Sequence, residues 1–71
     1  MKFDITHIGI NQAIDSDFNY EIFGVVNGTH VKSYTNDSQA YAWLLDDSEP
    51  EMQEHAVRYC ETKLMEAYLE L

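Results

Sequence analysis

The sequence predicts an α+β domain: an antiparallel three-stranded sheet followed by two helices packed on one of its faces. Three observations carry that expectation. Asn27-Gly28 lies between two β-rich runs, "FNYEIFGVV" and "THVKSYT", and this pair is the preferred two-residue hairpin turn. Upstream, "KFDITHIGI" alternates apolar and polar residues as a strand does. Downstream, apolar residues from Met52 onward recur at helical spacing.

Each element then follows in order. In "KFDITHIGI", Phe3 and Ile5 share one phase of the alternation, whereas Ile8 and Ile10 share the other. The phase change near Thr6-His7 predicts a bulge, or a strand buried partly on both faces. "NQAIDSDFN" reads as a loop, with Ile14 expected to tuck against the core. A type I′ turn at Asn27-Gly28 sets the register. Val26 then faces Thr29, Gly24 faces Val31, Ile22 faces Ser33 and Tyr20 faces Thr35, a set suited to meeting the helices. The opposite face pairs Val25 with His30, Phe23 with Lys32 and Glu21 with Tyr34, and is expected to be at least half exposed.

The spacing Asn36 to Gln39 fits a capped start for a short helix, "SQAYAWLLDD", with Tyr41, Leu44 and Leu45 inward and Trp43 at the margin. The next helix starts at "SEPE". Ser48 is placed to cap, Pro50 is tolerated in the first turn, and Glu51 completes a capping box. From there Met52, Ala56, Cys60, Leu64, Ala67 and Leu71 form the apolar stripe, widened by Val57 and Tyr68. A helix of about 20 residues is ~30 Å long, enough to cross the sheet.

Seventy-one residues suit one domain with a small core. A core of that size leaves a few kcal/mol of net stability, so a partner or a second copy would help it. Thirteen acids against four bases give a formal charge of −9. Nucleic acids and anionic membranes are therefore poor direct partners, and the basic surfaces of other proteins are natural ones. The single Cys60 leaves no internal disulfide to form and suits a reducing compartment. With no signal-peptide pattern and no long apolar run, the expected location is the cytoplasm.

Chemical motifs are lacking. Cys60 falls in the middle of the apolar stripe, the place of a small buried hydrophobe rather than of an activated thiolate. His7, His30 and His55 lie on three different elements with no zinc spacing. Asp15, Asp17 and Asn19 open like a calcium loop, but Tyr20 stands where the sharp turn needs Gly and Val26 where the loop needs Glu. Asp46-Asp47 falls in an open junction without the burial that tunes a carboxylate for catalysis. The expectation is a binding protein, without enzymatic activity, metal or cofactor.

Two surfaces remain. The first is the acidic junction, where Asp46, Asp47, Glu49, Glu51 and Glu54 stand close together in sequence. Helix carboxylates one turn apart imitate a sparse phosphate track, although Arg58 and Lys63 interrupt the row. The helix start accounts for Glu49 and Glu51, since acids suit its positive end, and leaves Asp46, Asp47 and Glu54 without a structural reason. The second surface is the sheet face of Phe23, Val25, His30, Lys32 and Tyr34, an aromatic patch with a cation that fits a protein contact or a homodimer seam.

In size, acidity and order of elements, a short sheet followed by two helices, the whole chain resembles the small phage-encoded anti-defence proteins, of which anti-CRISPR inhibitors are one group. That resemblance implies a non-catalytic inhibitor in the host cytoplasm, docking on a CRISPR surveillance complex or nuclease and blocking its nucleic-acid groove or a required movement. Short bacterial domains with a β-hairpin and two helices are similar too, and imply a protein that dimerises through its sheet face.

Overall fold

The computed structural model describes residues 3–14 and 16–71. Strands β1 (Ile5–Gln12), β2 (Tyr20–Val26) and β3 (Thr29–Thr35) form one antiparallel sheet in the order β1-β2-β3, followed by helices α1 (Ser38–Leu45) and α2 (Pro50–Leu69). The α+β order expected from the sequence is the order observed. The Cα envelope measures 32 × 29 × 15 Å, the shape of a slab with a sheet layer and a helix layer.

The hairpin forms as its turn chemistry dictates. Asn27 and Gly28 both take positive φ, 51° and 83°, which a type I′ turn requires of its central pair. Every β2–β3 pairing from Tyr20↔Thr35 to Val26↔Thr29 follows the expected register. The tip is also tied to β1, because Asp4 N–H donates to Asn27 Oδ1 at 2.9 Å and Asn27 N–H donates to Asp4 O at 2.8 Å.

The phase change in β1 is a bulge. Thr6 pairs with Val25 and Gly9 with Phe23, so His7 and Ile8 together oppose Gly24. His7 absorbs the extra residue with φ 57°, an uncommon conformation for a residue with a Cβ. Because of the bulge, Phe3, Ile5, Ile8 and Ile10 all pack toward the core despite their mixed parity. Gly9, across from Phe23, lies under that ring. A Cβ at Gly9 would stand 2.2 Å from Phe23 Cζ, so the ring covers bare backbone on the outer face of the sheet.

The core lies between sheet and helices: Ile10, Ile22, Val26 and Val31 meet Cys60 and Leu64 of α2. Helix α2 touches all three strands, and at Gly24 it comes close enough that an added Cβ would be 2.7 Å from Leu64 Cδ1. Phe3 packs edge-on against Tyr68, and Tyr20 stacks on Tyr41. Each fully buried large side chain of this core contributes about 1.5–3 kcal/mol before chain entropy opposes it, and the half-buried aromatic pairs contribute less.

Several local expectations are corrected. Asn36 does not cap α1. Its Oδ1 accepts from Asn19 N–H at 2.7 Å and holds the β1–β2 loop. The cap is Asp37, whose carboxylate accepts from Gln39 and Ala40 N–H. Ser48 does not cap α2 either. Its hydroxyl donates to Asp46, and α2 begins with Pro50 at its first position, where no N–H needs a partner. Ile14, Leu45 and Leu71 are exposed rather than inward. Ile14 belongs to the loop and Leu71 lies past the end of α2, while in α1 the inward positions go to Ala40, Tyr41 and Leu44, one face that Leu45 misses.

Candidate functional site

The corner between α1 and α2 is a short hydrogen-bonded unit. Asp46 accepts from both Ser48 N–H, at 2.9 Å, and Ser48 Oγ, at 2.5 Å, which folds the chain back on itself. The Ser48 hydroxyl, then its N–H, hold the Asp46 carboxyl below the usual carboxylate range. Gln53 reaches back from the first turn of α2. Its Nε2 donates to Leu44 O at 3.0 Å, satisfying a carbonyl at the open end of α1, and to Asp47 Oδ1 at 3.1 Å. Sequence reasoning overlooked Gln53, because its part depends on the angle between the helices.

All five acidic candidates are exposed, but their situations differ. Ser48 and Gln53 are neutral donors, so they orient Asp46 and Asp47 without cancelling their charge. Arg58 Nη2 lies 2.7 Å from Glu54 Oε1 one turn along the helix, and neutralises it. Glu49 and Glu51 make no side-chain hydrogen bond or ion pair among the described residues. Glu49 and Glu51 do stand at the start of α2, as the sequence suggested. Asp46, Asp47 and Glu54 have internal partners, whereas Glu49 and Glu51 point free charge at solvent.

What the corner presents is four carboxylates, Asp46, Asp47, Glu49 and Glu51, with no cationic partner among the described residues, on a backbone already fixed by hydrogen bonds. Holding Asp46 and Asp47 in advance lowers the conformational entropy lost when they meet a partner. Across the whole chain, residues 36–71 hold nine acids and two bases, so seven of the nine net negative charges belong to the helical half.

The other candidate surface is the outer face of the sheet, which neither helix covers. Phe23 and Val25 are half-buried, and His30, Lys32 and Tyr34 are exposed. The structure adds His7, brought to this face by the bulge, where its Nδ1 lies 3.0 Å from Thr6 Oγ1. Together with Asn11 and Glu21 these side chains line a shallow depression of about 570 Å³. Lys32 Nζ is 3.8 Å from Glu21 Oε1 across the strands, so its charge is already met. At one edge Tyr34 departs from the depression and stacks on Phe18, with ring centroids 6.0 Å apart.

Neither protein-family models, curated proteins nor solved structures match this chain.

The remaining chemistry-bearing groups are arranged for structure. Cys60 is fully buried in the core, and burial pushes its thiol up to about 11, with the carboxylate of Glu61 adding to the effect. A thiol in that state is protonated and shielded at neutral pH. Among the described residues, no group of three or more His, Cys, Asp or Glu side chains is placed to hold a metal ion. No described helix is long and apolar enough to cross a membrane.

Proposed function

We propose that this chain is a non-catalytic protein-binding inhibitor. Its acidic corner docks on the basic, nucleic-acid-binding surface of another protein, as a phage-encoded anti-CRISPR protein would use it against a surveillance complex or nuclease. The observation that carries this reading is the ordered corner, where four carboxylates lack a compensating cation and the backbone beneath them is pinned by Ser48 and Gln53. A basic groove that binds a phosphate chain offers closely spaced Lys and Arg side chains, and a cluster of carboxylates on a pinned corner competes for them. The segregation of charge supports the same reading, since the acidic helical half steers the molecule toward such a groove in one orientation.

The test is displacement of DNA from purified CRISPR surveillance complexes, followed by gel shift. The chain should release DNA, and release should weaken as salt rises. Reversing Asp47, Glu49 and Glu51 to Lys leaves the Asp46 turn intact and should abolish release. Reversing Glu61, Glu66 and Glu70 makes the same change in net charge elsewhere and should leave most of it. Equal effects of the two triple variants would reduce the corner to bulk charge, and no effect of the first would end the proposal.

A further inference from the structure

We infer that the uncovered outer face of the sheet is the seat of a second copy of this chain, making a face-to-face dimer with both acidic helical layers turned outward. The argument starts from charge. A chain with a formal charge of −9 repels its own copy, and most of that charge lies in the helical half. Contact between two helical layers, or between two acidic corners, sets like charges against each other. The outer sheet face is different. Among the described residues its one lysine, Lys32, is matched by Glu21 at 3.8 Å, and the rest of its side-chain lining is uncharged: apolar Phe23 and Val25, the imidazoles of His7 and His30, and the amide of Asn11. Counting histidine as neutral, this face carries no net charge, so two copies meet there without the penalty found elsewhere.

The same balance selects the occupant. A basic partner is drawn to the helical half. An acidic partner needs an unmatched cation, and Glu21 has already met Lys32. A neutral face with an aromatic centre and a polar rim has the composition of a self-association patch. In a two-fold arrangement the Lys32 and Glu21 side chains can exchange partners across the axis, so that each ion pair becomes an intermolecular one.

The broad side of the slab is bounded by Cα extents of 32 × 29 Å, and the sheet fills part of it: strands of 8, 7 and 7 residues cover about 14 × 25 Å. The contact is therefore small beside the ~800 Å² that a standard interface takes from each partner, and suits a moderate self-affinity. Phe23 is raised on the Gly9 backbone at the centre of the face, the position of a large anchor residue. The bulge at His7 interrupts the regular edge of β1, which disfavours extension of the sheet through that strand.

The experiment is sedimentation equilibrium from about 10 µM to about 1 mM, a range that brackets a moderate self-affinity. The mass should rise from 8.3 kDa toward twice that value. Raising salt from about 50 mM to about 500 mM should strengthen the dimer, because it screens the repulsion between two acidic chains. Docking of the corner on a basic protein has the opposite salt dependence, so the failure of either idea is recognisable without the other. Phe23→Glu should raise the dimer dissociation constant at least tenfold. Lys32→Glu, at an exposed position that does not endanger folding, should weaken it by a similar factor by placing like charges beside Glu21. A monomer at the highest concentration would overturn the proposal. So would a dimer that both variants leave intact, since that would put the contact at a strand edge or on the helices.

Discussion

Thr35 ties three elements together, and removing its hydroxyl should show how much that tie contributes. It is 5 % exposed and is the one buried polar side chain among the described residues. Its Oγ1 lies 2.7 Å from Tyr59 Oη on α2 and accepts Asp37 N–H at 3.1 Å, just before α1. Thr35→Val keeps the shape of the side chain and its preference for a strand, but removes both hydrogen bonds. At about 1 kcal/mol net for each bond, the variant should lose roughly 2 kcal/mol. Tyr59→Phe removes one of the two bonds and should cost about 1 kcal/mol. The double variant should cost no more than Thr35→Val alone, a coupling of about 1 kcal/mol between the two positions. In a domain of this size 1 kcal/mol moves Tm by about 4–8 °C, so Thr35→Val should melt roughly 8–16 °C lower. Urea and thermal unfolding followed by far-ultraviolet circular dichroism would measure all three variants. A Thr35→Val protein as stable as the parent, or strictly additive effects, would refute the idea that this hydroxyl joins sheet and helices.

Other consequences are simpler to state. Leu64 is fully buried opposite Gly24, and Leu64→Ala should cost about 3 kcal/mol or more. That is most of what so small a core supplies, so a variant that still unfolds in one sharp transition near the parent Tm would contradict this packing. The Cys60 thiol, raised from 9.0 to about 11, stays protonated in the fold over a range where the unfolded chain ionises. The folded state therefore binds more protons above pH 9, and stability should fall as pH rises from about 9 to about 11, by up to about 2–3 kcal/mol. A Cys60→Ala variant with the same alkaline unfolding profile would rule that out. Native Cys60 should also resist alkylation near neutral pH until denaturant is added. Ser48→Ala should let the Asp46 carboxyl titrate part of the way back toward the usual carboxylate range, because the hydroxyl is the larger of its two depressing hydrogen bonds and the backbone N–H remains. The sign follows from the depressed value: the bonds act at neutral pH and are lost as pH falls through the carboxylate range. Carboxyl-detected NMR would read the change, and an unmoved Asp46 would show that the Ser48 hydroxyl does not depress it.

By itself the sequence determined the elements and their order, because local rules suffice for them. Asn27-Gly28 takes positive φ at two adjacent residues more readily than other pairs, and that alone sets seven cross-strand pairings. The reversal of parity between Ile5 and Ile8 announced the bulge, since a period of two cannot bury both otherwise. The spacing of Ala56, Cys60 and Leu64 put one stripe of α2 on the sheet. The acidic candidates and the open sheet face were also legible as residue types. What only the tertiary structure decided is who partners whom. Asn36 and Ser48 had the right chemistry to cap, yet each found a nearer acceptor or donor, and neighbouring Asp37 or Pro50 took over the helix start. Gln53 became the fastener of the corner because two helices meet there at one angle. Glu49 and Glu51 stayed without a cationic partner among the described residues, whereas the Glu54–Arg58 pair already follows from their spacing of four along one helix. Hydrogen bonds and ion pairs are short-ranged and competitive, so their outcome depends on positions in space that a one-dimensional pattern does not carry.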